Sequence, residues 1–217
     1  MFSSRVVSKR FVVVWRSRRF HLGLLSVLLF LCLIFCAMFV ERQPTAWDPL
    51  GYQVAGRNIV QGLGPAIEHP FNATLGPYFT LAAFAGQRPQ VPTRLYLNYP
   101  PGFPLLLTVP QWLALPDFFM LPLLSTLGVL LIYFLGRLLF DRWVGLLGAA
   151  IVALTPDYLK WGSAFWADLP GTCCIVGAMV AYVAAWRQKI RARRLLRCAR
   201  KLQLQIPSSQ GRAFDSL

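Results

Sequence analysis

Acidic residues are scarce in this sequence: eight Asp and Glu stand against 22 Lys and Arg in 217 residues. Charge of either sign is thin, at 14% of residues, where a soluble domain of this size carries about 25%. That leaves too little polar surface to cover a soluble globule. Histidine occurs twice. The five cysteines show no zinc-site spacing with histidine, so neither a structural metal site nor a disulfide framework follows. Cys32, Cys36, Cys173 and Cys174 lie in apolar segments, where small packing residues are expected, and Cys198 lies in a basic stretch. No GxGxxG, P-loop, GxSxG or HExxH pattern occurs, which removes support for nucleotide-dependent and serine-hydrolase chemistry.

What the sequence does contain is apolar residue, 56% of the chain, gathered into blocks. The fold class that follows is an all-α membrane protein, a polytopic helical bundle with an outer-face loop carrying amphipathic interfacial helices. The net charge of +14 does not point to nucleic acid, because of where the charge lies. Six basic residues fall in residues 1–19 and eight between Arg187 and Lys201, each cluster flanking an apolar helix. Juxtamembrane Lys and Arg mark the cytoplasmic side and attract anionic membrane lipids.

The organisation is read as a basic cytoplasmic tail over residues 1–19, a transmembrane region over 20–186, and a basic, flexible cytoplasmic tail over 187–217. The run at 20–40 spans roughly 30 Å at ~1.5 Å per residue and reads as an uncleaved signal anchor. Residues 41–100 form the long outer loop. In it Tyr52, Ala55, Ile59 and Leu63 recur at helical spacing, with Arg57, Asn58 and Gln61 between them. The spacing predicts an amphipathic helix opened by Asp48-Pro49 and closed by Gly62 or Gly64. Pro, Gly and Asn dominate from there to about residue 100. Four further apolar segments follow, at about 101–115, 118–136, 144–156 and 170–186. Both tails are basic and belong on the same side, so the number of spans is even. The segment at 101–115 is short and carries Pro104 and Pro110. It is therefore read as entering the membrane face and returning, or as lying at the interface, which leaves four spans and two outer loops. The protein is placed in the cell (inner) membrane, multi-pass, with both termini cytoplasmic.

Asp48 and Asp168 then lie on one face. Each also suits the first turn of a helix, where a carboxylate favours the dipole. Tyr99-Pro100-Pro101-Gly102-Phe103-Pro104 is expected to form a rigid aromatic turn, which reads as a structural elbow, as a wall for a lipid-linked substrate, or as both. Arg57, Arg94 and Lys160 are the cations available to an anionic ligand, or to lipid headgroups. His69 is a lone candidate ligand; metal sites show several, and none is assigned.

Four motifs in order carry a family resemblance. Asp48, Tyr52, Ala55, Asn58-Ile59 and Gly62-Leu63-Gly64 come first, then Tyr99-Pro100-Pro101-Gly102-Phe103-Pro104-Leu105-Leu106. Leu127-Gly128 through Gly136-Arg137 to Phe140 follows, and last Ala153-Leu154-Thr155-Pro156 with Asp168 before a helix. Over roughly residues 20–186 this order resembles the N-terminal part of the C-type membrane glycosyltransferases, in particular the protein mannosyltransferases and the lipid A aminoarabinose transferases. It departs from them at Pro49, where many relatives have an acid, and at Tyr99, where some have a lysine. The resemblance implies inverting transfer of a sugar from a polyprenyl-phosphate donor to an acceptor at the outer membrane face. It implies Asp48 as the catalytic residue, with Asp168, Arg94, Lys160, Tyr99 and Tyr52 binding substrate. The cofactor is left unknown: a divalent metal fits the chemistry but has no clear ligand set. Complete members are more than twice as long. The chain is thus expected to be a fragment, inactive alone or dependent on a protein partner that supplies the missing helices. The alternative is a non-catalytic small multi-pass membrane protein or assembly partner.

Overall fold

The structure is a computed structural model and describes residues 18–75, 84–88 and 91–205. The basic stretch expected over 1–17 and the end of the tail, 206–217, lie outside these residues. Among the described residues the architecture is helical, with eight α-helices and one small sheet. Three helical stretches are long and apolar enough to cross a membrane: Arg19–Met38, Asp117–Leu139 and Asp168–Ile190.

Helix α1 (Arg18–Met38) is apolar all round but buries only one face. His21, Leu25, Cys32 and Cys36 recur at spacings that return to the same side of a helix, and all four are buried. Val27, Phe30, Leu31 and Phe35 on the other sides are exposed. This asymmetry suits a helix with protein on one side and lipid on the other, since an apolar face needs no protein cover in a bilayer.

Helix α5 (Met120–Leu139) is the centre of the bundle. It packs against α1, against α6 (Arg142–Leu154), against the short α7 (Pro156–Gly162) and against α8 (Asp168–Gln205). Leu25, Cys32 and Cys36 meet Val129 and Tyr133 of α5 and Ala149 and Ala153 of α6 in one apolar cluster. The α5–α6 hairpin is tight because glycine faces glycine. A Cβ on Gly136 would stand 2.7 Å from the Gly145 Cα, and one on Gly145 would stand 2.5 Å from the Tyr133 carbonyl oxygen. Asp141 caps the return, its carboxylate accepting from the Trp143 and Val144 amides.

Helix α6 has 13 residues and is too short to cross alone. Pro156 at the first position of α7 interrupts it after Leu154. The α6–α7 pair nevertheless runs the length of α1. At one end Trp143 meets the His21 ring edge-on, 5.0 Å between centroids, while His21 also pairs with the Tyr133 hydroxyl at 3.0 Å. At the other end the Ser163 carbonyl accepts from the Glu41 amide at 2.8 Å. The broken pair thus begins level with the first turn of α1 and ends level with its last.

Beyond the end of α1 lies the segment expected as the long loop. Helix α2 (Trp47–Val60) follows the expected amphipathic pattern in part: Tyr52 and Ala55 are buried and Arg57 exposed, but Ile59 is only partly buried and Leu63, past the helix end, is exposed. It stops where expected, because Gly62 and Gly64 take left-handed φ of +77° and +72°. The part expected as irregular loop contains a three-stranded antiparallel sheet, order β1-β3-β2, of β1 (Ala66–Glu68), β2 (Phe84–Arg88) and β3 (Val91–Leu97). A one-turn helix α3 (Asn72–Leu75) sits between the first two strands. Phe84 and Leu95 are fully buried against Ala55 of α2, which fixes the sheet to the helix.

The segment expected at 101–115 forms helix α4 (Gly102–Trp112), which packs on α2. Gly56 is the contact point: a Cβ there would stand 3.2 Å from the Pro104 carbonyl oxygen. Leu105, Val109, Trp112 and Leu113 on its outer side are exposed. A 3-10 turn (Asp117–Phe119) leads into α5. At the far end, α8 does not stop where the flexible tail was expected but continues to Gln205, 38 residues or about 57 Å. The reason is compositional: Arg, Lys, Leu, Ala and Gln are good helix formers, and neither Gly nor Pro interrupts them between Gly177 and Pro207.

Candidate functional site

One end of the helical bundle holds an apolar cluster of Tyr52 from α2, Phe103 and Leu107 from α4, Met120, Leu121 and Leu124 from α5, Phe165, and Leu169 from α8. Tyr99 and Leu97 pack on it and also on the sheet core, so the sheet and the bundle share one wall. On this wall sit the acids.

Asp48 is the second residue of α2, not its cap; Ala46 holds that place and makes no side-chain bond. The Asp48 carboxylate is half-buried and accepts the Tyr99 hydroxyl at 3.0 Å. The Tyr99 and Tyr52 rings lie 5.5 Å apart, and Tyr52 meets Phe103 at 5.4 Å in an edge contact. The Pro100-Pro101 elbow puts Tyr99 there: it ends β3 and starts α4 within four residues.

Two tyrosine hydroxyls report the electrostatics. Donation to Asp48 raises the Tyr99 pKa above its ordinary value, helped by burial and by the Asp48 charge. Burial raises that of Tyr52 first, followed by Tyr99, Asp48 and Asp168. Tyr52 therefore feels both acids at once. Asp168 itself is exposed at the first turn of α8, one residue before the buried Leu169. The structure brings Asp48, Tyr52 and Tyr99 together through ring and hydrogen-bond contacts, and Asp168 acts on Tyr52 through its charge.

The two cations are placed differently. Lys160 lies on α7, its ammonium 5.5 Å from the centre of the Trp161 ring. It edges an open apolar cleft of about 460 Å³ lined by Phe35, Phe39, Pro156, Leu159 and Ser163. Arg94 belongs to β3. Its guanidinium donates to the Leu63 carbonyl and lies over the Tyr96 ring, beside a cavity of about 260 Å³ between α2 and β1. None of these Arg94 contacts is with Asp48, Tyr52, Tyr99 or Asp168. Arg57 pairs with Asp117 at 3.2 Å. His69 accepts the Phe71 amide at 3.3 Å as a loop residue. Among the described residues no three His, Cys, Asp or Glu side chains gather as a metal-binding group.

Sequence reasoning missed Asp117. Its carboxylate is buried and accepts from Gln53 and Arg57 of α2. The only signal was an acid alone in an otherwise uncharged stretch, Leu95 to Leu135, where an unpaired carboxylate is costly.

Compared with known proteins, residues 114–199 match the model of the dolichyl-phosphate-mannose-protein mannosyltransferase family. The chain thus carries a segment similar to that family of glycosyltransferases, over less than half its length. The match includes Lys160 and Asp168 and begins after Asp48, Tyr52, Arg94 and Tyr99, which lie outside it. No curated protein and no solved structure matches the chain.

Proposed function

We propose that this protein is a membrane glycosyltransferase of the mannosyltransferase type. In this reading it moves a sugar from a polyprenyl-phosphate donor to a hydroxyl acceptor at the outer face of the cell (inner) membrane. The observation that carries the reading is the cluster of Asp48, Tyr99 and Tyr52 with Asp168 beside it. The cluster sits where the outer ends of the apolar helices meet, next to the segment that matches the family.

The chemistry suits that cluster. The acceptor oxygen attacks the anomeric carbon and the bond from that carbon to the phosphate oxygen breaks. The lipid phosphate leaves with the bonding electrons, and configuration inverts. The hydroxyl proton passes to Asp48, a carboxylate held in place by Tyr99. Asp168 supports the sugar or the acceptor through hydrogen bonds. The leaving phosphate is met by a cation, and Lys160 is favoured because its cleft is apolar, as a polyprenyl chain requires. Arg94 is assigned to the acceptor side or to the sugar. Four crossings, with α6–α7 as a broken third span and both termini cytoplasmic, place the cluster and Lys160 on one face.

The test is sugar transfer by membranes containing the full chain, with a radiolabelled polyprenyl-phosphate sugar. Asp48→Asn is expected to lower transfer by roughly 10²–10⁴-fold, the usual contribution of a general base. Membrane insertion, followed by fractionation, should stay normal. Transfer that survives the substitution sinks the assignment of Asp48. A second reading is a non-catalytic assembly partner, favoured by the broad exposed apolar faces of α1 and α8, where Phe30, Leu31, Ile175 and Tyr182 are all more than half exposed. It predicts that Asp48→Asn changes nothing.

A further inference from the structure

Asp117 takes no part in the chemistry just described, yet among the described residues it is the only fully buried carboxylate. Each of its oxygens has its own donor. Gln53 Nε2 reaches Oδ1 at 3.3 Å and Arg57 Nε reaches Oδ2 at 3.2 Å. Gln53 and Arg57 stand four residues apart, on one face of α2. Gln53 is itself buried, whereas Arg57 is about half exposed and closes the contact from outside.

Besides the Tyr99–Asp48 bond near its start and the Asn58–Ala66 bond near its end, α2 is held by apolar packing: Tyr52 in the outer cluster, Ala55 on the sheet core, and Gly56 against α4. Such packing is non-directional and tolerates small slides. A carboxylate held at two points does not. Moving α2 along its axis by one residue turns it by ~100° and removes both donors from Asp117. The same movement takes Asp48, nine residues before Arg57 on the same helix, away from Tyr99.

We infer that Asp117 is a positioning residue that locks the register of α2 and so holds Asp48 and Tyr52 against Tyr99. The consequence for rate rests on the transferase reading above; the lock itself does not. Buried ionic contacts are best attested in this register-setting role, more than as sources of net stability.

The experiment is hydrogen–deuterium exchange on the full chain in lipid nanodiscs, wild type against Asp117→Asn and Arg57→Gln. Peptides covering α2 are expected to exchange at least tenfold faster in Asp117→Asn. Peptides covering α5 should be unchanged. Arg57→Gln alters a half-exposed side chain and should fold; it is expected to speed α2 by at least threefold. If Asp117→Asn unfolds the whole chain, Arg57→Gln decides, and unchanged α2 exchange in Arg57→Gln overturns the lock. Transfer from the radiolabelled donor is measured in parallel. A positioning role predicts that kcat falls about tenfold or more with the donor KM unchanged. Wild-type activity with an unaltered kcat in both variants overturns positioning. Fast α2 exchange in the variants, with no transfer by wild type, overturns the transferase reading and leaves the lock standing.

Discussion

Tyr99 donates its hydroxyl to Asp48 and packs its ring, tilted, beside that of Tyr52, so its ionisation would cost both the hydrogen bond and the packing environment. Its pKa lies above the ordinary tyrosine value, about 10, chiefly because of the bond to Asp48. A raised folded-state value means that the folded protein holds this proton more tightly than the unfolded chain. The corresponding stability is complete below pH ~10 and is lost as pH rises through the folded value. Ultraviolet difference titration, with Tyr99→Phe to assign the signal, should therefore show Tyr99 ionising later than an ordinary tyrosine. Asp48→Asn should bring it earlier; no change would mean that the bond does not form. This residue-scale arrangement was partly legible beforehand. Asp48, Tyr52 and Tyr99 were all singled out from their order along the chain. Asp117 was not: its one signal, an acid alone in an uncharged stretch, does not say which helix will cover it.

Helix α4 ends with Ala114 at a φ of +56°, in the left-handed region, while the Leu113 and Leu115 amides both bond back to the Pro110 carbonyl. A non-glycine residue there costs about 1–2 kcal/mol. Glycine removes that strain but adds unfolded-state entropy of roughly 0.5–1 kcal/mol. Ala114→Gly is therefore expected to stabilise the protein by about 0.5–1 kcal/mol, read as a higher midpoint in thermal unfolding in detergent. The α5–α6 crossing predicts the opposite. Gly136→Ala or Gly145→Ala puts a methyl against backbone and should cost about 1–3 kcal/mol in the same measurement. Helix positions were readable because apolar blocks and glycine or proline stops are local signals. The sheet was not. Its first strand has three residues, its second pairs with irregular register, and its stability comes from Ala55, Phe84 and Leu95 meeting across 40 positions of sequence. Its edge is closed by side chains: Asn58 donates to the Ala66 carbonyl and Asn72 to those of Ile67 and Thr93. Asn72 is buried in that role.

For the whole molecule, the consequential feature is that α6–α7 spans the depth of α1 although neither piece is long enough alone. The proposed four-span topology counts this pair as one crossing beside the three long helices. Single cysteines at Thr74 and Ala164 should then react with an impermeant maleimide added outside intact cells. A cysteine at Phe140, in the exposed α5–α6 turn, and the native Cys198 should not. Labelling of the Phe140 site from outside would overturn the four-span arrangement.

Composition alone determined that this chain lives in a membrane, because 14% charge cannot clothe a soluble fold of its size. Periodicity determined the apolar helices and the amphipathic α2, since each depends on neighbours three or four residues away. Tertiary structure alone decided that Asp48 meets Tyr99 and that both acids act on Tyr52. It also decided that Asp117 is buried beneath α2, and that proline-broken α6–α7 matches α1 in depth. Each of these joins residues dozens of positions apart. Their proximity follows from how whole helices pack, which no local pattern records.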